Sequence, residues 1–362
     1  MRIHNLLRHA VDVKASDIHL AAGEPPALRI NGEVERIENV DSLSATEVRR
    51  IAYSIMNEKQ KVFFENNLEL DFSFGVQDLA RFRVNVFQQR RGIGLVLRQI
   101  PSTVLSLEDI NAPNVFRRIA ETRKGLVLVT GPTGSGKSTT LAAIIDFINK
   151  NRAEHIITIE DPLEFIHEPH KCIINQREVG THTKSFGNAL RSALREDPDV
   201  ILVGEMRDLE TVSLAMSAAE TGHLVFGTLH TNSCPETIDR IIDSYPHEQQ
   251  SQIRTMLSTS LMAVITQGLL RSIDGTGRVA IHEIMLVNRA IRNLIRENKL
   301  HQIPSTMETS KGSGMQTMEM ALKAAVAKRQ ISRQQAIAFS NNPNLFKNDT
   351  ANKRPGPPGR RR

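Results

Sequence analysis

A glycine-rich stretch, Gly131-Pro132-Thr133-Gly134-Ser135-Gly136-Lys137-Ser138, spaces its glycines, lysine and hydroxyl as G-x-x-x-x-G-K-[ST]. That spacing suits a polyphosphate. Glycines let backbone N–H groups curl around a β-phosphate, and the N-terminus of a following helix adds a favourable dipole. Lys137 would reach the β- and γ-phosphates, and the Ser138 hydroxyl would hold Mg²⁺. The flanks agree with this reading. Leu126-Val127-Leu128-Val129-Thr130 reads as a buried strand, and Leu141, Ile144, Ile145 and Ile148 fall on one helical face. The chain is therefore expected to bind a nucleoside triphosphate through Gly131, Thr133, Gly134, Ser135, Gly136, Lys137, Ser138 and Thr139.

Three more apolar runs end in groups that phosphoryl transfer requires. His155-Ile156-Ile157-Thr158-Ile159 is followed by Glu160, Asp161 and Glu164. In an open α/β sheet, ligands sit beyond the carboxyl ends of the strands, where carboxylates organise Mg²⁺ and an attacking water. Glu160 and Asp161 are candidate Mg²⁺ ligands beside Ser138, phosphate oxygens and waters. Val200-Ile201-Leu202-Val203-Gly204-Glu205 has the Walker B shape, with Gly204 in place of the usual first acid. Glu205 is the candidate general base or water-positioning residue, a role that Glu164 could share. Leu224 to Leu229 is bracketed by His223 and His230. His230, at the carboxyl end, is a candidate to sense a γ-phosphate or orient Glu205, and His223 is read as a packing or relay residue. Arg191 and Arg195 lie four apart in a helical stretch and so share a face. They are candidate arginine fingers, with pairing to Glu196 and its neighbours as the structural alternative.

The elements that must position these groups alternate. Strands expected at 126–130, 156–160, 200–204 and 224–229, with helices between, make an α/β core with a parallel sheet. This core is expected over 114–280, with a mainly helical region over 281–345. Residues 1–100 read as a smaller α+β domain. Leu6, Leu7, Ala10 and Val11 mark a helix, and Asn31-Gly32 a tight hairpin. Ser44-Ala45-Thr46-Glu47 reads as a capping box opening a helix to about Glu65. Residues 71–74 and 81–87 alternate as strands, with Phe82, Val84 and Val86 inward and Arg81, Arg83 and Asn85 outward; 95–98 closes the sheet. A linker is expected over 101–113. The final stretch, from 341 by its lack of pattern and from 346 as a basic tail, is expected to be disordered.

Composition narrows the partners. The net charge is +6, but Lys353, Arg354, Arg360, Arg361 and Arg362 supply five of those charges, leaving +1 over the first 352 residues. With no Trp and 4% aromatics, stacking platforms for single strands are scarce, so nucleic acid is not an expected partner. Cys172 and Cys234 form no paired spacing, which argues against a cysteine zinc site or a disulfide framework and for the cytoplasm. No run approaches the ~18 apolar residues of a membrane span. No N-K-x-D guanine motif follows the phosphate loop, which weighs against a GTPase switch.

These boxes, in this order, resemble the secretion-type (type II/type IV pilus) ATPases, a family of RecA-like hexameric motors. The resemblance covers about 1–345: the phosphate loop, an "Asp box" at 158–164, a variant Walker B with the same Gly-Glu ending at 199–208, and a "His box" at 221–231. It implies a RecA-like P-loop core, a PAS-like N-terminal domain, ATP with Mg²⁺, and a homohexamer. By resemblance, Arg83 matches the N-terminal arginine that contacts nucleotide, and Arg191 and Arg195 match arginines near the phosphates. Ala290-Ile291-Arg292-Asn293-Leu294-Ile295-Arg296-Glu297 resembles the C-terminal signature of the family's pilus-retraction motors, and the tetracysteine module of the extension motors is absent. The resemblance thus implies an ATP-driven motor for pilus retraction and twitching motility. It would sit at the cytoplasmic face of the inner membrane, reaching the membrane only through partners such as a pilus platform protein. An accessory retraction paralogue, another secretion-family ATPase and, with less support, a nucleic-acid translocase remain as alternatives.

Overall fold

Period-two burial builds the first sheet of the computed structural model, which describes residues 3–30, 32–77, 79–100, 103–275 and 277–346. By contacts the chain divides into two units, residues 1–104 with 162–166, and residues 105–161 with 167–362. In the first, helix α1 (Ile3–Asp12) precedes β1 (Asp17–Ala21), β2 (Ala27–Ile30) and β3 (Glu33–Arg36). Helices α2 (Ala45–Ser54) and α3 (Glu58–Asn67) follow, then β4 (Glu69–Val76), β5 (Ala80–Gln89) and β6 (Gly92–Ile100). The strands form one antiparallel sheet in the order β3-β2-β1-β6-β5-β4. Phe82, Val84 and Val86 of β5 are fully buried, and Arg83 is exposed.

Two expectations are corrected here. The helix expected from Ser44 to about Glu65 is two helices. Ser44 and Glu47 form the first capping box, and Asn57 and Gln60 form a second that restarts the chain. Strand β6 does not close the sheet at an edge; it lies inside, paired with both β1 and β5, and β1 was not anticipated. Strands β2 and β3 do pair as a hairpin, with Ile30 opposite Glu33. Asn31 of that turn, Pro101 of the linker and residues 347–362 of the basic tail lie outside the described residues.

In the second unit, α4 (Val115–Ala120) leads to β7 (Gly125–Thr130), α5 (Lys137–Asn151), β8 (His155–Glu160), β9 (Ile173–Glu178), α6 (Phe186–Ala193), β10 (Val200–Val203) and α7 (Leu209–Glu220). Then come β11 (Leu224–Leu229), α8 (Cys234–Asp243), α9 (His247–Ser260), β12 (Leu261–Arg271) and β13 (Arg278–Leu286). The unit ends with α10 (Arg289–Arg296), α11 (Ile303–Thr309), α12 (Met318–Ala327) and α13 (Arg333–Phe339). The seven-stranded sheet runs β13-β12-β7-β11-β10-β8-β9; only the β12–β13 pair is antiparallel. Strands β9, β12 and β13 were not expected, and β13 carries the sheet past residue 280, where a helical region was expected to begin. Phe346 is buried with Met318 and Leu322, so the start of the expected disordered stretch is packed structure. Among the described residues no helix is long and apolar enough to cross a membrane.

Parallel strands covered on both faces need near-continuous apolar runs, and β7 shows why. Leu126 and Leu128 pack with Ile157, Ile201 and Val225 on one face, while Val127 and Val129 meet Ile144, Ile145 and Ile148 of α5 on the other. The phosphate loop between β7 and α5 is therefore anchored at both ends in core. Helix α10 joins the first of these faces. Asn288 caps it by accepting the Ile291 N–H at 2.9 Å, Ile291 and Ile295 are buried, and Arg292 and Arg296 are exposed. Ile295→Ala should lower stability in urea unfolding by about 2–5 kcal/mol, and Arg296→Ala by no more than about 0.5 kcal/mol. Equal costs for the two would contradict this placement.

Candidate active site

The phosphate loop is shaped by its glycines. Gly131, Gly134 and Gly136 have φ of 134°, 79° and 86°, a region closed to most side chains. At Gly131 space is also lacking, since a Cβ there would stand 2.2 Å from the Gln267 carbonyl oxygen of β12. The Lys137 ammonium is buried and arches back, donating to the Gly131 carbonyl at 2.8 Å and the Pro132 carbonyl at 3.1 Å. Gly136 caps α5 without any side-chain hydrogen bond, which leaves that helix end to other partners. The buried Ser135 hydroxyl has no protein partner. A loop of turned amides, an uncapped helix N-terminus and a buried ammonium fit a polyphosphate. Thr133 is exposed, and Ser138 and Thr139 are half-buried in the first turn of α5.

The parallel strands β7, β8, β10 and β11 bring their carboxyl ends to one edge of the sheet, the edge that carries the loop. His230, just past β11, sits with Nε2 3.1 Å from Glu205 Oε1, and Arg207 binds Glu205 Oε2 at 2.7 Å. The Arg207 guanidinium, with the field of His230, holds the Glu205 carboxyl below the usual carboxylate range despite partial burial. Asp161 and Glu205 both act on Arg207 and stabilise its charged form, Glu205 more strongly. Acid and base therefore alternate along this edge. Glu160 ends β8, largely buried, against Gly204, where a Cβ would come within 3.2 Å of the Glu160 Cα. The glycine in the Walker B position thus has a steric reason. Among the described residues no three His, Cys, Asp or Glu gather to hold a metal by themselves. A Mg²⁺ ion would depend on Ser138 and phosphate oxygens, with Glu160 and Asp161 further along the same edge at the end of β8.

The other candidates are placed differently. His223 stands at the amino end of β11, away from the loop, bonded through Nδ1 to the Ala218 carbonyl at 2.9 Å. Arg191 and Arg195 do not share a helical face: α6 ends at Ala193, and Arg195 lies in the turn beyond it. Arg191 pairs with Glu210 and Asn188, whereas Glu196 pairs with Arg177 at 3.0 Å. Glu164 belongs to the segment 162–166 that groups with the first unit, and Arg83 lies on that unit's sheet. Sequence reasoning missed Arg207 and Gln267. A buried glutamine inside the apolar run 261–270 was the available signal.

The pattern of the family described as type II/IV secretion system protein matches residues 1–276. The chain belongs to this family. Over 346 residues it is 56% identical to the type IV pilus retraction ATPase PilT of Pseudomonas aeruginosa, covering 96% of this chain and all of that one. It is 58% identical over 301 residues to a twitching motility protein of Neisseria gonorrhoeae, covering 83% of this chain and 80% of that one. The crystal structure of the pilus retraction motor PilT with bound ADP matches it with a TM-score of 0.91 at 48% identity, over 96% of this chain and 99% of that one.

Membership in the type II/IV secretion family makes the chain an ATPase, and two substitutions separate its binding from its chemistry. Lys137→Ala removes the ammonium of the phosphate loop and should abolish ATP turnover; activity within a few-fold of wild type would refute the assignment. Glu205→Gln keeps shape and hydrogen bonding but loses the negative charge. Fluorescent-nucleotide titration should show retained binding while turnover falls by about 10²-fold or more, the cost of a misplaced reactant. Loss of binding with turnover would instead make Glu205 part of the binding site.

Proposed function

We propose that this chain is the ATP-hydrolysing motor that retracts type IV pili and so powers twitching motility. The observation that carries the reading is identity along the whole length of a retraction ATPase, 56% over 96% of the chain. We further propose a RecA-like core, a PAS-like first unit, Mg²⁺-ATP as the working ligand, and a homohexamer. The motor would act on a pilus platform protein at the cytoplasmic face of the inner membrane.

In the chemistry we propose, the loop amides and Lys137 bind the β- and γ-phosphates, with Ser138 on the bound Mg²⁺. The ion, when present, neutralises charge on the phosphate oxygens. Because Arg207 keeps Glu205 ionised and weakly basic, Glu205 serves better to orient the attacking water than to hold its proton. His230 fixes the rotamer of Glu205 through the contact at 3.1 Å. Arg191 and Arg195, exposed on one copy, and Arg83 would act as charge-neutralising groups in the assembled ring. Such a shared site makes activity rise more steeply than linearly with protein concentration.

Helix α10 is the proposed coupling element. Its isoleucines hold it in the core, and its arginines are not required for that packing. Replacing Arg292 and Arg296 together with Ala should leave folding and basal ATPase rates near wild type. Pilus retraction, imaged in cells lacking the native copy, should be lost. Normal retraction by that variant would remove the coupling role of α10. Normal retraction by cells lacking the protein altogether would favour an accessory paralogue.

A further inference from the structure

Gln267 lies on β12, a strand that none of the recognised nucleotide boxes includes, yet its side chain is buried against the phosphate loop. Its Nε2 donates to the Ser135 carbonyl at 2.7 Å, and its Oε1 accepts the Thr140 hydroxyl at 2.7 Å. The amide cannot be reversed, because Oε1 would then face the Ser135 carbonyl oxygen, two acceptors with no proton between them. The backbone of the same residue presses on Gly131, and a Cβ at Gly136 would stand 2.9 Å from Nε2. One residue thus touches the loop at its first glycine, at its fifth and sixth positions and at the first turn of α5. Its neighbour Thr266 adds a contact at 2.8 Å to Thr130, the last residue of β7.

The contact with Ser135 has a geometric consequence. A trans peptide points its C=O and N–H in opposite directions. Anchoring the Ser135 carbonyl toward β12 therefore aims the Gly136 N–H away from β12 and into the loop. Gly136, at φ 86°, has no side chain to hold that orientation. We propose that Gln267 is a positioning residue of the ATPase: by gripping the Ser135–Gly136 peptide it keeps the Gly136 amide turned toward the phosphates. The proposal rests on the phosphate loop being the nucleotide site and adds a residue to it. It also ties β12 to nucleotide occupancy. Through the paired β13, Glu283 accepts the Cys234 N–H at 2.6 Å and the Met318 N–H at 3.3 Å, so the same hairpin caps α8 and meets the start of α12.

The test compares Gln267→Leu with Thr140→Val in the full-length protein, each shown to fold by thermal unfolding. Both lose the Gln267–Thr140 bond, but only the first frees the Ser135 carbonyl. Gln267→Leu should raise KM and the ADP Kd about 10-fold or more, with kcat at saturating ATP within about 3-fold of wild type. Thr140→Val should change KM by less than about 3-fold. Unchanged KM in Gln267→Leu, or equal KM effects in both, would overturn the proposal. If Gln267→Leu fails to fold, Gln267→Glu replaces it. A protonated carboxyl can donate to Ser135 and a carboxylate cannot, so its KM should climb with pH relative to wild type, and a parallel profile would overturn the proposal. Lys137→Ala, run alongside, separates the two failures. If it binds ADP as wild type does, the nucleotide-site assignment fails, whereas a binding defect there beside a silent Gln267→Leu sinks only the role of Gln267.

Discussion

Among the described glycines of the second unit, the tightest approach of one backbone to another is that of the phosphate loop to β12. At Gly131 the backbone runs so near the Gln267 carbonyl that any side chain would overlap it. The loop is consequently formed before any ligand arrives: β7 and α5 are fixed by core on both faces of the sheet, and the turn between them has one route. Buried Lys137, bonded to two carbonyls of the loop, keeps a cation inside this turn. A preformed cradle lowers the ordering cost that a flexible glycine loop would otherwise add to binding.

The second consequence of the fold is electrostatic. Parallel pairing of β7, β8, β10 and β11 places every strand's carboxyl end on one edge, so residues from separate strands meet without a dedicated scaffold. Along that edge Asp161 and Glu205 both act on Arg207, and His230 meets the other oxygen of Glu205. These contacts hold Glu205 charged and in one orientation.

Much of this was legible in the sequence, for reasons that differ by element. The runs ending at Thr130, Glu160, Val203 and Leu229 are continuous and apolar because both faces are covered, and the loop motif is local. Strands β12 and β13 were not legible. Thr266, Gln267, His282 and Glu283 interrupt their apolar pattern, and the bonds that make Thr266, Gln267 and Glu283 tolerable reach residues far away in the chain, 127 positions for Gln267 to Thr140. Strand β9 is half-exposed at the sheet edge and lacks a clear period. The break between α2 and α3 was visible only as a second capping box, Asn57 with Gln60, inside a pattern that otherwise continued as helix. The spacing of Arg191 and Arg195 suggested a shared face, although Pro198 would clash with a helical carbonyl at Leu194 and so stops α6 at Ala193.

The central claim is that turnover at this site, organised by Glu205 and the preformed loop, supplies the work of retraction. Imaging labelled pili in cells whose only copy carries Glu205→Gln tests it most directly, with protein level and ring assembly matched to wild type. The account predicts extended pili that bind surfaces but do not shorten. Retraction at wild-type frequency and speed would contradict it.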